Sequence, residues 1–343
     1  MNGFQYIGLD IHKRTISYCV KTADGKIVEE GRIVASKDKL KSWAEARRQP
    51  WVGAMEATLF THWVYDVLRP YAAALKVANP LLLKAITAVK KKNDRVDARM
   101  LADLLRCDLL PECYTMPAEL RDLRRVLRYR NFLVRHATSL QNRISGLLME
   151  SGESYNNRRL HGERYFQQLL ERIEAPSSVV EMLRLSRGAL TVFSSMEKRL
   201  RRGLLQHPKL RERVERLRSI HGVGEVTALT WALEIGPPER FACVARACSY
   251  CGLTAAQRAS ADKEYRGPIS KQRNKHLQTI LIEAAKLAPR YNPQLAAVHA
   301  RELKRSDANR ATLAVARKLV AYLLAVDRSQ QPFQIREPEA TVA

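Results

Sequence analysis

The chain has no apolar run long enough to span a bilayer, and Leu81-Leu82-Leu83 is broken at once by Lys84. Its first residues, Met1-Asn2-Gly3-Phe4-Gln5-Tyr6, lack a charged segment followed by an apolar one, so no secretory leader is expected. It has no Walker-type phosphate loop and no dinucleotide fingerprint, which removes support for an ATP motor or a dehydrogenase. Paired cysteines are missing too. The six present stand at unmatched spacings, as expected for reduced thiols in a cytoplasm. Cys248 and Cys251 form a lone C-x-x-C without a second pair or a nearby histidine cluster, and read as small buried apolar residues rather than a zinc site. His62, His221 and His276 show no ligand spacing, so packing or phosphate contact suits them better than metal.

Acid is in short supply. Asp and Glu number 35 against 59 Lys and Arg, leaving a formal charge of +24. Such an excess points to a polyanionic partner, because neutralising phosphates releases their condensed counterions. A ribosome-associated or membrane-surface protein would share this balance, but size and charge together favour nucleic acid. A length of 343 residues suits two or three domains with a proper core, and 46% hydrophobic residues suit a folded chain.

Three segments and a tail are visible. Residues 1–110 read as α/β. Apolar runs ending on an acid occur at Tyr6-Ile7-Gly8-Leu9-Asp10 and Trp51-Val52-Gly53-Ala54-Met55-Glu56. Two strand-like stretches, Thr15 to Val20 and Lys26 to Val34, are joined through Ala23-Asp24-Gly25, whose Asp-Gly pair is a hairpin signal. Helical patterns cover Lys37 to Arg47, Thr61 to Tyr71 and Asp94 to Arg106, with a strand at Ala74 to Ala78. Three strands, helix, strand, helix, strand, helix is the layout of a ribonuclease-H-like nuclease. Residues 111–215 are dominated by Leu, Arg and Glu, with apolar residues at helical spacing, predicting long helices that form a linker, a coiled coil or a helical hairpin. Residues 216–328 make a compact, mainly α module, and 329–343 a polar, flexible tail.

Scarce acids that cluster carry information. Asp94 and Asp97 are three apart and share a helix face, while Asp10 and Glu56 end runs that would lie side by side. Four converging carboxylates repel unless a divalent cation resolves them, and such a cation serves phosphate transfer. Alone, each acid reads as a cap or turn residue, and Asp94 could be the N-cap of its helix. Ile220-His221-Gly222-Val223-Gly224 before Glu225 looks like a helix-hairpin-helix, with Gly222 and Gly224 letting backbone amides approach phosphate, or else a tight turn between packed helices. Between Arg258 and Lys275 the chain is polar, basic and rich in turn residues, and any serine there could act as a nucleophile only if activated.

These motifs together resemble the DEDD transposases of bacterial insertion sequences, namely the one-ten and eleven-eleven families, and the related Piv-type DNA invertases. The resemblance is carried by Tyr6 to Asp10, Met55-Glu56-Ala57-Thr58, Asn79-Pro80, Asn93-Asp94-Arg95-Val96-Asp97-Ala98-Arg99, the 220–224 hairpin, Gly252-Leu253-Thr254, Ser260 and Ile269-Ser270-Lys271, in order along nearly the whole chain. It implies a RuvC-like N-terminal domain, a linking coiled coil and a transposase domain. Asp10, Glu56, Asp94 and Asp97 would bind Mg²⁺, with Mn²⁺ as a possible substitute. Ser260 of another subunit would attack DNA and become linked through a 5′-phosphoserine. A guide RNA would pair with donor and target DNA, the protein being a dimer or a dimer of dimers, cytoplasmic and associated with the nucleoid. Ser260 stands where the family's nucleophile falls, although Ala261 and Gln272-Arg273 replace residues that are commonly glycine-containing there, so Ser270 stays in view. Arg266 and Lys271 are candidate phosphate clamps. A site-specific invertase, a metal-dependent nuclease of branched DNA with passive serines, and a non-enzymatic nucleic-acid scaffold are the competing expectations.

Overall fold

The computed structural model describes residues 3–86, 93–260 and 263–334. These fall into two compact units, Met1–Ala118 and Glu119–Ala343.

The first unit opens with β1 (Gln5–Ile11), β2 (Thr15–Lys21) and β3 (Ile27–Val34), an antiparallel meander. Gly25 takes a φ of 91° in the β2–β3 turn, which explains the Asp-Gly signal. Helix α1 (Lys37–Glu45) then returns the chain to β4 (Trp51–Glu56), and α2 (Thr61–Leu68) returns it to β5 (Ala74–Ala78). Both of these strands run parallel to β1, giving the order β3-β2-β1-β4-β5. A short helix absent from the sequence reading, α3 (Pro80–Ile86), follows, and α4 (Asp94–Arg106) closes the unit.

Alternation along the strands decides which side chains meet. Ile7, Leu9 and Ile11 of β1 join Trp51 and Met55 of β4 in one core with Leu40, Val64 and Leu68 of α1 and α2. The intervening residues look the other way: Val52 and Ala54 pack with Leu101, Leu104 and Leu105 of α4. Asp10 and Glu56 are in phase with that second set, so both carboxylates belong to the α4 side of the sheet. Gly8 allows α4 to lie directly on β1. A methyl at Gly8 would overlap Ala98 O and stand 2.6 Å from Ala102 N, both backbone atoms that cannot yield without moving the helix.

The second unit starts with the 33-residue α5 (Ala118–Glu150), then α6 (Glu163–Arg172) and the 30-residue α7 (Ser177–Gln206). Ile144, Leu147 and Leu148 of α5 pack with Phe166, Leu169, Leu183 and Leu190 of α6 and α7. Next come α8 (Pro208–Arg218), α9 (Glu225–Glu234), α10 (Val244–Tyr250), the hairpin β6 (Ala255–Ser260) and β7 (Lys263–Ile269), α11 (Lys275–Leu287), α12 (Pro293–Leu303) and α13 (Ala308–Ser329). Trp231 is fully buried among these helices, and its indole donates to Asp327 at 2.9 Å, which also pairs with Arg213 at 2.6 Å. Cys248 and Cys251 lie in this core, where burial pushes the Cys248 thiol up to about 11 and Cys251 higher still, as expected for inert apolar cysteines.

Within the polar, basic stretch around Arg258, β6 and β7 pair as an antiparallel hairpin. Phe333 meets Tyr322 with rings tilted at 4.7 Å and 50°, and its amide donates to Ser219 Oγ at 2.7 Å, while residues 335–343 of the expected tail lie outside the described residues. Among the described residues no helix is long and apolar enough to cross a membrane.

Candidate metal centre

Asn93 is the N-cap of α4, its side chain accepting from Val96 N at 2.9 Å. The capping role considered for Asp94 is therefore filled, and the Asp94 carboxylate is left for other work. Asp94 and Asp97 occupy the first turn, where the helix dipole favours negative charge. Arg95 and Arg99 alternate with them in sequence and turn to a different partner, the nearly buried Glu30 of β3, which accepts from Arg95 Nε and Arg99 Nη2 at 2.7 Å each. Lys21 of β2 adds a 2.5 Å bridge to Asp103. One face of α4 is thus latched to the sheet while the acids of its first turn stay with Asp10.

Ligand atoms of Asp10, His12 and Asp94 all lie within 4.8 Å of one another. His12 Nε2 is 3.0 Å from Asp10 and 3.4 Å from Asp94, and Arg32 reaches Asp94 at 3.8 Å. Glu56 and Asp97 are outside that tight group. Glu56 ends β4 one residue beyond the Leu9–Met55 pair, and so adjoins Asp10 along the sheet. Asp97 is close enough for its charge to act on Asp10. Burial raises the Asp10 carboxyl above its ordinary value, His12 opposes this, and the like charges of Asp97 and Asp94 add to it. Hard carboxylate oxygens, one imidazole nitrogen and an acid that resists ionising without a counter-charge form a donor set that fits a divalent cation.

Glu30 behaves oppositely. Hydrogen bonds from Arg99 and Arg95 outweigh its burial and hold its carboxyl down at about 2, against 4.5. A depressed carboxyl adds stability above its unfolded value that is lost as pH falls from about 4.5 toward 2. Glu30→Gln is expected to cost about 2 kcal/mol at neutral pH, and to flatten the acid limb of a stability-against-pH curve measured by urea unfolding.

In the second unit Ser260 closes β6, in register with Lys263 of β7, and Ala261 lies outside the described residues. The side chains of Ser260 and Arg266 also lie outside them. Ser270 Oγ accepts from Gln272 N at 3.2 Å, a local turn contact, and Lys271 is exposed beside it. Gly222 needs its φ of 96° and packs against Ala288, where a Cβ would stand 2.6 Å from that methyl, so turn geometry alone accounts for this glycine. Gly224 is the N-cap of α9 and faces open space, while Glu225 behind it pairs with Arg201.

Residues 7–152 match the family model for DEDD transposases of the IS110 kind, and residues 214–300 match the model described as transposase, IS116/IS110/IS902 family. The transposase for insertion sequence element IS1111A of Coxiella burnetii is 26% identical over 97% of this chain and 92% of its own length. A probable family 20 transposase of Pseudomonas aeruginosa is 27% identical over 70% of this chain and 72% of its own. The transposase for element IS1328 of Yersinia enterocolitica is 22% identical over 82% and 83%. The chain belongs to the IS110-type DEDD transposases.

It is accordingly a DNA transposase, and its family suggests divalent metal. Two residues of the transposase's centre were missed in the sequence. His12 follows Asp10 by two, the strand repeat, and that spacing was the available signal. Glu30 had none, since its partners lie 65 and 69 residues away.

Proposed function

We propose that this transposase cuts and rejoins DNA through Ser260, with Asp10, Glu56, Asp94 and Asp97 holding Mg²⁺, or Mn²⁺ in its place. The observation that carries this reading is the convergence of Asp10, His12 and Asp94 on the α4 side of a ribonuclease-H-like sheet, in a chain that also places Ser260 at the end of a hairpin strand. When bound, the cation would neutralise phosphate charge and lower the barrier to displacement. The serine oxygen forms a bond to the 5′-phosphorus as the bond to O3′ breaks, and the hydroxyl proton ends on the released 3′-OH. A second 3′-OH then displaces the serine, which regains its proton, and strands are exchanged without hydrolysis.

The 220–224 segment would work as a helix-hairpin-helix, with the amide end of α9 at Gly222 and Gly224, together with Arg266 and Lys271, contacting DNA backbone. Residues 1–110 would supply the metal, 111–215 the link and 216–328 the serine. The functional unit would be a dimer or dimer of dimers, in which the serine of one subunit meets the acids of another. The +24 charge, and the resemblance to guided recombinases, support a non-coding RNA that pairs with donor and target DNA.

Two measurements test this. Denaturing gels of a reaction with element-end DNA should retain a protein–DNA adduct, whereas free 5′-phosphate ends would indicate a hydrolytic nuclease. Sequencing of RNA that copurifies with the protein should recover one discrete species encoded beside the gene, and a random cellular mixture would remove guidance from the proposal.

A further inference from the structure

We infer that the exposed stripe of α5 around Tyr129 and Phe132 is a stacking platform for unpaired bases of a single-stranded polynucleotide. Tyr129 and Phe132 are 53% and 41% exposed, although both are large aromatics on a helix whose opposite side already packs into two cores. Their rings stack at 5.7 Å and 21°. Phe132 meets His136 edge-on at 4.1 Å, and His136 approaches Phe193 of α7 at 6.0 Å. The rings therefore form a continuous row in which each supports the next. A row of supported, solvent-facing π surfaces suits successive bases, which stack on aromatics regardless of sequence.

The occupant is decided by charge. From Leu123 to Met149, α5 carries six arginines and no carboxylate; Arg125, Arg128 and Arg130 pair with Asp122, Glu234 and Glu197, while Arg124, Arg135 and Arg143 have no ion pair among the described residues. Arg135 is exposed next to the aromatic row. It also lines a cavity of about 280 Å³ with Arg130, Lys275, His276 and Thr279, between α5, α9 and α11. Backbone phosphates fit this cationic border while bases lie on the rings. A second copy of the chain would bring arginine against arginine along the same stripe, which like-charge repulsion opposes. Duplex DNA offers no free base faces to the rings. The inference goes beyond the proposed function and needs neither Ser260 nor guidance: Ser260→Ala should bind single strands as the parent does.

The test uses the full chain and fluorescent oligomers of about twelve nucleotides, dT or U, beside a blunt duplex of equal length. Tyr129→Leu with Phe132→Leu keeps apolar bulk and helix propensity but removes the π faces. The expected result is a loss of about tenfold or more in single-strand affinity, with duplex affinity changed less than about twofold. Loss on dT alone assigns the platform to a DNA strand, loss on U alone to RNA, and loss on both to either strand type. Equal loss on duplex and single strand, or no loss, overturns the inference. So does a fall in molar mass by light scattering with single-strand affinity intact, which would mean that a second copy covers the row. Should the double variant not fold, the parent protein photo-crosslinked to an iodouracil oligomer decides the matter: adducts within 129–136 support the platform, and adducts only elsewhere overturn it.

Discussion

Asp10→Asn is expected to lower strand cleavage roughly a hundred- to a thousandfold, and to make the metal-free protein more stable. Both follow from one fact. The Asp10 carboxyl is raised by burial and by the charges of Asp97 and Asp94, so the metal-free fold holds a proton there more tightly than the unfolded chain does. Stability from this group is present at low pH and is lost as pH rises through the raised value. At neutral pH the ionised side chain therefore works against the metal-free fold, and the neutral amide removes that cost. A divalent cation reverses the sign, because it binds the ionised form and stabilises only the folded state. Losing one carboxylate ligand removes several kcal/mol of charge stabilisation in the displacement step, hence the fall in rate. Thermal melting with and without Mg²⁺ separates the two effects. The parent should gain melting temperature on adding Mg²⁺. Asp10→Asn should start higher without metal and gain little. A variant that starts lower and still responds to Mg²⁺ would show that Asp10 serves packing alone.

Ser260→Ala should abolish any covalent protein–DNA species while leaving DNA affinity within about twofold. The change removes one hydroxyl from the last residue of β6, a small change whose cost in stability should stay within roughly 1 kcal/mol. Chemically the loss is complete, because alanine has no oxygen to bond phosphorus. Ser270→Ala is the matched control. Its hydroxyl already accepts from Gln272 N in a turn, so its removal should leave adduct formation largely intact. If Ser270→Ala abolishes the adduct and Ser260→Ala does not, the nucleophile has been assigned to the wrong serine. If the adduct survives both substitutions, a residue other than these two serines carries the DNA.

Much of the first unit was legible because its side chains obey short periods. The alternation of β1 and β4 sets Asp10 and Glu56 on one side of the sheet, and the three-residue spacing of Asp94 and Asp97 sets them on one side of a helix. What escaped depends on distance in sequence. Glu30 latches α4 only because β3 comes to neighbour that helix in the folded sheet, and a lone Glu in a strand gives no hint of two arginines waiting beyond residue 90. His12 lies one alternation past Asp10, beyond the apolar run that marks β1. The β6–β7 hairpin is polar and basic, with little of the apolar alternation that marks a half-buried strand. Phe333 stands in a polar segment and gains a ring partner and one backbone hydrogen bond only from residues distant in sequence. In α5, Leu and Val at helical spacing dominate and mask the aromatic row.

The most direct measurement on the serine and the acids is made by mixing two inactive chains. Asp10→Asn keeps Ser260, and Ser260→Ala keeps all four acids; alone, neither should form an adduct with element-end DNA. Mixed, and allowed to exchange subunits, they should regain one working centre per mixed pair, with DNA attached only to the chain carrying Asp10→Asn. A mixture as inert as either chain alone, or an adduct on the Ser260→Ala chain, would contradict a centre built from the acids of one subunit and the serine of another.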